Sequence, residues 1–545
     1  MILALLLAAQ AAAAPKAESP RALAAANRIS ATELSAHLRF LSDDLLEGRK
    51  PGTTGSELAV KYIAAQLEAM GLSPGAPGGT FFQAVPLIEL AGQVPPTLLF
   101  RAGTQELLLS TTGGAKADLV IDPDAHLDLA QVRDAELVFA GYGIVAPEYG
   151  WDDYKDVDVR GKIVVLMNFN PPFAGDGVRL WYGRWDYKYQ TAAAHGAIGA
   201  LLIHTTESAG YPWQVLSSSA GGVRIDLPPR AGEARMQFQG WVTDGGARRL
   251  FTLAGKDLDS MRANAQQKTF RPQPLGATTS LEMPIARRTT ESANVIGMLP
   301  GTDPALKGEV VIYTAHHDHL GKVKPVPPAT DGIYNGALDN ASGVATVLAL
   351  AHAALLAPPK RSILFCLVTG EEQGLLGSRY LAQHPPVPAG RIAADINLDS
   401  INRWGKTKDL TMLGLGKSSL DAVVRQVAAE QGRVVHGDPH PDRGAFYRSD
   451  QFSLARIGVP VVAVRGGPTY LGRALDWGDQ QQLAFERNDY HQPSDEYHGD
   501  WDLSGAVQDA QLQLLIGLRI ANAPALPTWT PGDEFEAARK RAPLQ

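Results

Sequence analysis

The stretch Glu309-Val-Val-Ile-Tyr-Thr-Ala-His-His-Asp-His-Leu-Gly321 constrains the fold more than any other part of the chain. Val310, Val311, Ile312 and Tyr313 form a β-branched and aromatic run with no polar alternation, which predicts a strand buried on both faces. Such strands lie inside parallel sheets whose connecting helices cover both sides. The run ends in Ala315-His316-His317-Asp318-His319. In open α/β sheets, ligands bind beyond the carboxyl ends of the strands. A histidine and a carboxylate two residues apart at such an end point to a metal ligand and the group that orients it.

The pattern around this strand extends the reading. Strands are expected at Val310–Thr314, Ile363–Thr369, Ala394–Leu398 and Val459–Val464. Helices are expected at Ser342–Leu356, Ser418–Ala429 and Leu503–Ala521. This alternation predicts an α/β fold with a mostly parallel sheet covered by helices. At 545 residues the chain is too long for one ordinary domain. Residues 27–110 read as an amino-terminal part and 290–525 as the α/β domain itself. Residues 111–285 read as an inserted β-rich module with few helices and no cluster of metal ligands. Residues 526–545, rich in proline and charge, are expected to form a loosely held tail.

Composition narrows the function. The formal charge of -7 shows no basic surplus, which argues against nucleic acid as a partner. The opening run Met-Ile-Leu-Ala-Leu-Leu-Leu-Ala-Ala-Gln-Ala-Ala-Ala-Ala-Pro15 is too short to span a bilayer. It reads as a secretory leader over residues 1–14, although no Lys or Arg precedes it. A periplasmic or secreted protein without a membrane span is therefore expected. Cys366 is the single cysteine, so no disulfide forms within one chain. It lies in the apolar run Ile363-Leu-Phe-Cys-Leu-Val368 and reads as a small buried hydrophobe.

Four more acidic or histidine motifs fall where strands end or loops begin. Asp339 stands before the Ala-rich helix, Glu371-Glu372 follows Thr369-Gly370, Asp399 closes Ile396-Asn-Leu-Asp, and His491 lies in Asn488-Asp-Tyr-His-Gln-Pro-Ser-Asp-Glu496. Each alone is ordinary, since an Asp before a helix is usually a cap. Together they converge on one edge of the expected sheet. Two histidines and three carboxylates suit two zinc ions with one carboxylate bridging. Adjacent glutamates cannot easily bind the same ion, so one is free to act as a base.

These motifs resemble those of the zinc-dependent aminopeptidases with two co-catalytic metals. That superfamily also holds glutamate carboxypeptidases, glutaminyl cyclases and transferrin receptors. The resemblance is carried by Ala315-His-His-Asp-His-Leu-Gly321, Gly336-Ala-Leu-Asp-Asn-Ala-Ser-Gly-Val344, Thr369-Gly-Glu-Glu-Gln-Gly-Leu-Leu-Gly-Ser378, Asn397-Leu-Asp-Ser400 and Tyr490-His-Gln-Pro-Ser-Asp495. It implies that Asp339 bridges two zinc ions, that His316 and Asp399 complete one site, and that Glu372 and His491 complete the other. It implies Glu371 as general base, Asp318 hydrogen-bonded to His316, and a cis peptide at Asp339–Asn340. Tyr470 is a candidate oxyanion donor by the same resemblance. Val138-Phe-Ala-Gly-Tyr-Gly and Val159-Arg-Gly-Lys-Ile-Val are similar to the protease-associated (PA) domain inserted in such enzymes.

The activity expected from the resemblance is hydrolysis of amino-terminal peptide bonds, on a peptide with a free amino terminus. A carboxypeptidase or other amide hydrolase on the same ions is the alternative, for which Arg403, Arg443, Arg448 and Arg473 lie in suitable loops. A receptor-like relative without catalysis is a third reading, and the intact set of ligands speaks against it. His317, His319, His436 and His440 carry no motif role and read as loop residues or as supports behind the ligands.

Overall fold

The computed structural model describes residues 19–124, 127–175, 177–219, 222–325 and 330–544. The apolar run at 1–14, read above as a leader, lies outside them. Among the described residues no helix is long and apolar enough to cross a membrane.

The Val310–His316 strand is buried along its whole length. Val311, Tyr313 and Ala315 enter one core, while Val310 and Ile312 enter another on the opposite face. This is the two-sided burial that an unbroken apolar strand requires. Ser362–Val368 and Ile392–Asn397 flank it, both parallel, and Val461–Gly466 continues the parallel set beyond Ile392–Asn397. The sheet is therefore mostly parallel at its centre, as expected. Its outer strands are mixed. Gln273–Leu299 runs antiparallel to Ser362–Val368 and to Phe82–Gly92. On the other side Asp409–Leu413 is antiparallel to Val461–Gly466 and parallel to Val434–Gly437. Cys366 is buried in the sheet and unpaired.

The Ser342–Ala354 helix is apolar around nearly its whole circumference and buried almost throughout. A helix of that kind must be covered on every side. Ala31–Leu41, Ser504–Asn522 and the central sheet surround it. Tyr313 joins strand to helix: its ring stacks on Phe365 at 5.6 Å, and its hydroxyl donates to the Gln513 carbonyl at 2.9 Å.

A second sheet forms within 111–285. Leu129–Phe139, Ile163–Met167, Gly199–His204 and Phe238–Thr243 run parallel in that order, and Leu119–Pro123 closes the edge antiparallel. Among the described residues five α-helices fall here, the longest being Trp185–Ala194, Asp244–Leu253 and Leu258–Ala265. That is more helix than the β-rich reading expected.

The two sheets are joined by one strand that the sequence reading missed. Gln273–Leu299 is continuous over 27 residues. It pairs with Leu129–Phe139 at its start and with Ser362–Val368 at its end. Leu275, Ala277, Thr279, Leu281, Met283 and Ile285 are buried at every second position, a strand period running straight up to residue 285, where the module was expected to end. The module also docks directly on the α/β domain. The Arg179 backbone N–H donates to the Pro441 carbonyl at 3.2 Å, and its Nε donates to the Asp442 carbonyl at 3.0 Å. Trp181 packs 4.8 Å from Phe452, with the Arg456 guanidinium 4.6 Å over its ring.

The tail is not loosely held. Trp529 and Phe535 are buried, and the Trp529 indole N–H donates to the Gly458 carbonyl at 2.9 Å. Lys417 pairs with Asp533 at 3.0 Å and with Glu534 at 2.8 Å. Proline and charge made this segment look solvated, but its two aromatic side chains decide where it lies.

Candidate metal centre

The parallel strands end on one side of the sheet and deliver their following residues to one place. His316 is the last residue of its strand. Glu371 and Glu372 follow Ser362–Val368, and Asp399 follows Ile392–Asn397. Asp339 arrives in a turn at the start of the Ser342–Ala354 helix, and the peptide bond Asp339–Asn340 is cis, as the resemblance implied. Asn340 ties this turn to the Asp399 loop. Its Nδ2 donates to the Leu398 carbonyl at 2.9 Å, and its Oδ1 accepts from the backbone N–H of Ser400 at 3.0 Å and of Gly343 at 2.9 Å. Any side chain at Gly343 would run into Asn340 and the Leu398 carbonyl, so the helix start needs glycine. Asp495 ties the same turn to the His491 loop. Its carboxylate accepts from the backbone N–H of Leu338 and of Asp339, both at 3.0 Å.

The five expected ligands meet. His316 Nε2 lies 3.2 Å from Asp339 Oδ1 and 3.7 Å from Asp399 Oδ1. His491 Nε2 lies 3.3 Å from Asp339 Oδ2 and 3.0 Å from Glu372 Oε2. The two oxygens of Asp339 thus face two different histidines. His319 joins the second group, with Nδ1 2.6 Å from Glu372 Oε1. Groups of potential ligand atoms within 4.8 Å of one another form at His316, Asp339 and Asp399, at His319, Asp339 and Glu372, and at His316, Glu371 and Glu372.

This donor set fits metal ions. The Nε2 atoms of His316, His319 and His491 are buried and make no hydrogen bond of proper geometry, although carboxylate oxygens stand 3.0–3.7 Å from those of His316 and His491. Buried polar atoms are rarely left so unless something else satisfies them. The electrostatics agree. Against the effect of burial, Glu372 and Asp339 push His491 up to about 11, and Asp339 and Asp399 lift His316 well above its ordinary value. The carboxylates of this pocket therefore favour positive charge beside them. Burial, aided by Glu372, Asp399 and Asp450, holds Glu371 well above the usual carboxylate range.

Asp318 works differently from the expectation. Its carboxylate is 3.7 Å from His316 Nδ1, and the Asp318 backbone carbonyl lies nearer that nitrogen, at 3.3 Å. A proton on Nδ1 facing this carbonyl leaves the Nε2 lone pair for a cation. The carboxylate instead accepts from the backbone N–H of Glu371 at 3.1 Å and of Glu372 at 3.4 Å, and so holds the paired glutamates against the strand end. Burial lifts Asp318 to about 6.

Tyr470 is not brought to the cluster as an available donor. It is buried, and its hydroxyl donates to Asn402 Oδ1 at 3.1 Å. The tyrosine beside the ligands is Tyr490, stacked 3.9 Å from His491. Of the residues read as lacking a role, His319 supports Glu372 directly, whereas His317 Nε2 meets the Ala293 carbonyl at 3.0 Å behind the site. Sequence reasoning also missed Ser449, whose hydroxyl donates to Asp399 Oδ2 at 2.6 Å, and Asp495. Asp495 shares a motif with His491 and could have been found there. Ser449 carries no local signal.

A mostly parallel α/β sheet with a two-histidine, three-carboxylate cluster at its strand ends is the build of a metal-binding hydrolase-like domain. Residues 294–515 match the family described as Peptidase family M28, so the recognition made from the motifs holds for this segment. A probable zinc metalloprotease of Pyrenophora tritici-repentis (strain Pt-1C-BFP) is 46% identical over 76 residues, which is 14% of this chain and 17% of that protein. Another probable zinc metalloprotease, of Pyrenophora teres f. teres (strain 0-1), is also 46% identical over 76 residues, covering 14% of this chain and 16% of that one. The chain thus spans about a sixth of the length of these curated relatives. In fold it is similar to the aminopeptidase from Aneurinibacillus sp. strain AM-1, with a TM-score of 0.51 at 18% identity over 93% of this chain and 97% of that one.

Proposed function

We propose that this chain is a zinc-dependent aminopeptidase with two metal positions, one at His316, Asp339 and Asp399 and the other at Asp339, Glu372 and His491. The observation that carries the reading is the division of Asp339, with Oδ1 3.2 Å from His316 Nε2 and Oδ2 3.3 Å from His491 Nε2. A carboxylate so placed is built to bridge. Zinc ions held there would activate a water and polarise the scissile carbonyl.

The chain's own residues handle the proton and the substrate. Glu371 is the general base, taking a proton from the attacking water and passing it to the leaving amine. Its carboxylate has no hydrogen-bonding partner among the described residues, so it is free to move a proton, while its backbone is fixed by Asp318. The module at 111–285, whose motifs resemble a PA domain, covers or presents the cleft. The apolar run at 1–14 directs the protein to the periplasm or outside the cell.

One observation favours the second reading, a carboxypeptidase or other amide hydrolase. Arg403 pairs with Asp489 at 3.4 Å and is stacked against Trp404, Phe485 and Trp501. Arg443 pairs with Glu486 at 3.3 Å, and Arg473 lies over Trp477. Arg448 is exposed and makes no side-chain bond or ion pair among the described residues, and its neighbour Ser449 holds Asp399. It is therefore available to a substrate carboxylate. A panel of aminoacyl, amino-blocked and carboxyl-blocked peptides decides between them. Aminopeptidase action requires turnover of carboxyl-blocked peptides and none of amino-blocked ones; the opposite pattern overturns it.

A further inference from the structure

We propose that Arg49 is a positioning residue for the metal centre: from the amino-terminal segment, its guanidinium clamps the strand end that carries His316 to the turn that carries Asp339. This inference rests on the metal-site reading above.

Arg49 is 1% exposed and makes no ion pair among the described residues. A buried cation is destabilising unless its donors are satisfied, and here backbone carbonyls satisfy them. Nε donates to the His317 carbonyl at 2.9 Å, Nη1 to Asn335 at 2.6 Å and also to Leu41, and Nη2 to Gly336 at 3.0 Å. His317 directly follows one expected ligand, and Gly336 lies three residues before the bridging one. The fork of the guanidinium thus spans two segments that must keep a fixed separation if Asp339 is to face His316.

The segment presenting Arg49 is shaped for the task. Glu47, Gly48 and Arg49 are three consecutive residues with positive φ, of 48°, 68° and 50°. Non-glycine residues hold that conformation under strain, and only where the surroundings enforce it. The surroundings are the hairpin of Gly321–Lys322 and Ile333–Tyr334, which leads from His319 to Asn335. A side chain at Gly48 would strike the carbonyls of Gly321 and Tyr334, so the turn is pressed flat on the hairpin. Lys322 reaches Glu47 at 2.5 Å, and Asn335 Nδ2 donates to Asp44 at 2.7 Å. The charge is also well placed: Asp318, Asp495, Asp339 and Glu372 are the carboxylates that act on Arg49.

The test is made on the full chain, with wild type, Arg49→Met and Arg49→Lys. Zinc content is measured by elemental analysis, zinc affinity by competition with a chromophoric chelator, and ligand geometry by the absorption spectrum of the cobalt-substituted protein. Arg49→Met is expected to lose about 10–100-fold in affinity for at least one ion, the range for partners that orient metal ligands. Arg49→Lys keeps the charge but cannot span the carbonyls, so it should regain little of that loss and show an altered cobalt spectrum. Folded variants with wild-type affinity and spectrum would overturn the proposal. Should neither variant fold, hydrogen exchange on metal-stripped wild type decides. The exchange followed is that of the Arg49 guanidinium protons, seen by NMR: slow exchange without the ions supports the clamp on the His317, Asn335 and Gly336 carbonyls, and free exchange overturns it. Wild type that binds no zinc would sink the metal reading itself and not the clamp alone.

Discussion

Glu371 and Glu372 are neighbours in sequence with different surroundings in space. Glu372 has one oxygen on His319 and the other on His491, whereas the Glu371 carboxylate is unengaged. Glu372→Ala is therefore expected to lose zinc from one position. Glu371→Gln should keep the fold and both ions while turnover falls by roughly 10²–10⁴, the usual loss for a general base. Turnover and zinc content measured on both variants check the pair; zinc lost from Glu371→Gln alone would reverse the assignment. A second residue-scale prediction concerns Asp153, in the module at 111–285. Burial pushes its carboxyl up to about 7, even though Ile144 N–H and Trp151 Nε1–H donate to it. The folded state then binds a proton that the unfolded chain releases near 3.8, so the contribution of this group falls as pH rises from about 4 to about 7. Asp153→Asn has no such slope. Urea unfolding at the two ends of this window should show the wild type losing more stability than the variant.

At the scale of the element, the central strand and the long carboxyl-terminal helix meet with no room to spare. A Cβ at Gly517 would collide with the Tyr313 hydroxyl, which already donates to Gln513 on the same helix. Gly517→Ala gains helix propensity but must displace Tyr313 from its stack on Phe365. Overpacking of this kind costs about 1–3 kcal/mol. Adding Tyr313→Phe removes the clashing oxygen, so the double variant should be more stable than the sum of the single changes. Denaturant midpoints of the four proteins measure the coupling, and simple additivity would show that the helix and strand adjust independently.

For the whole molecule, the ions and the module are separable. The cluster gathers Asp339, Glu371, Glu372 and Asp399 around His316, His319 and His491. Ions that bind only the folded chain stabilise it by mass action. Chelation should therefore lower the melting temperature as well as abolish turnover, and zinc should restore both. The module is held by different contacts, centred on Arg179 and on Trp181 against Phe452 and Arg456. Trp181→Ala is expected to expose 111–285 to limited proteolysis while zinc content stays at the wild-type level. Small-substrate turnover should survive, and its loss with metal content intact would give the module a part in the chemistry.

The chain itself determined the central strand, the helices around it and the five converging ligands. These are legible because a strand buried on both faces shows in four consecutive apolar residues, and because His316, Glu372 and Asp399 end or follow such strands and Asp339 precedes an apolar helix; His491, in a loop after the polar helix Trp477–Asn488, was found through its motif alone. The resemblance of the motifs added the expectation that Asp339 bridges, with which its two oxygens facing two histidines agree. The tertiary structure decided what local pattern does not encode. Arg49 sits in a loop by composition and becomes a buried clamp only when its turn meets the hairpin near His319. Asp318 trades the expected bond to His316 for the amides of Glu371 and Glu372, because the two strands stand side by side at that register. Gln273–Leu299 crosses a boundary that composition drew, since period-two burial depends on sheets on both sides. Tyr470 and Tyr490 are alike as residues, yet one is consumed by Asn402 and the other lies on His491. Each of these outcomes depends on long-range contacts whose distances are set by packing rather than by neighbours in the chain.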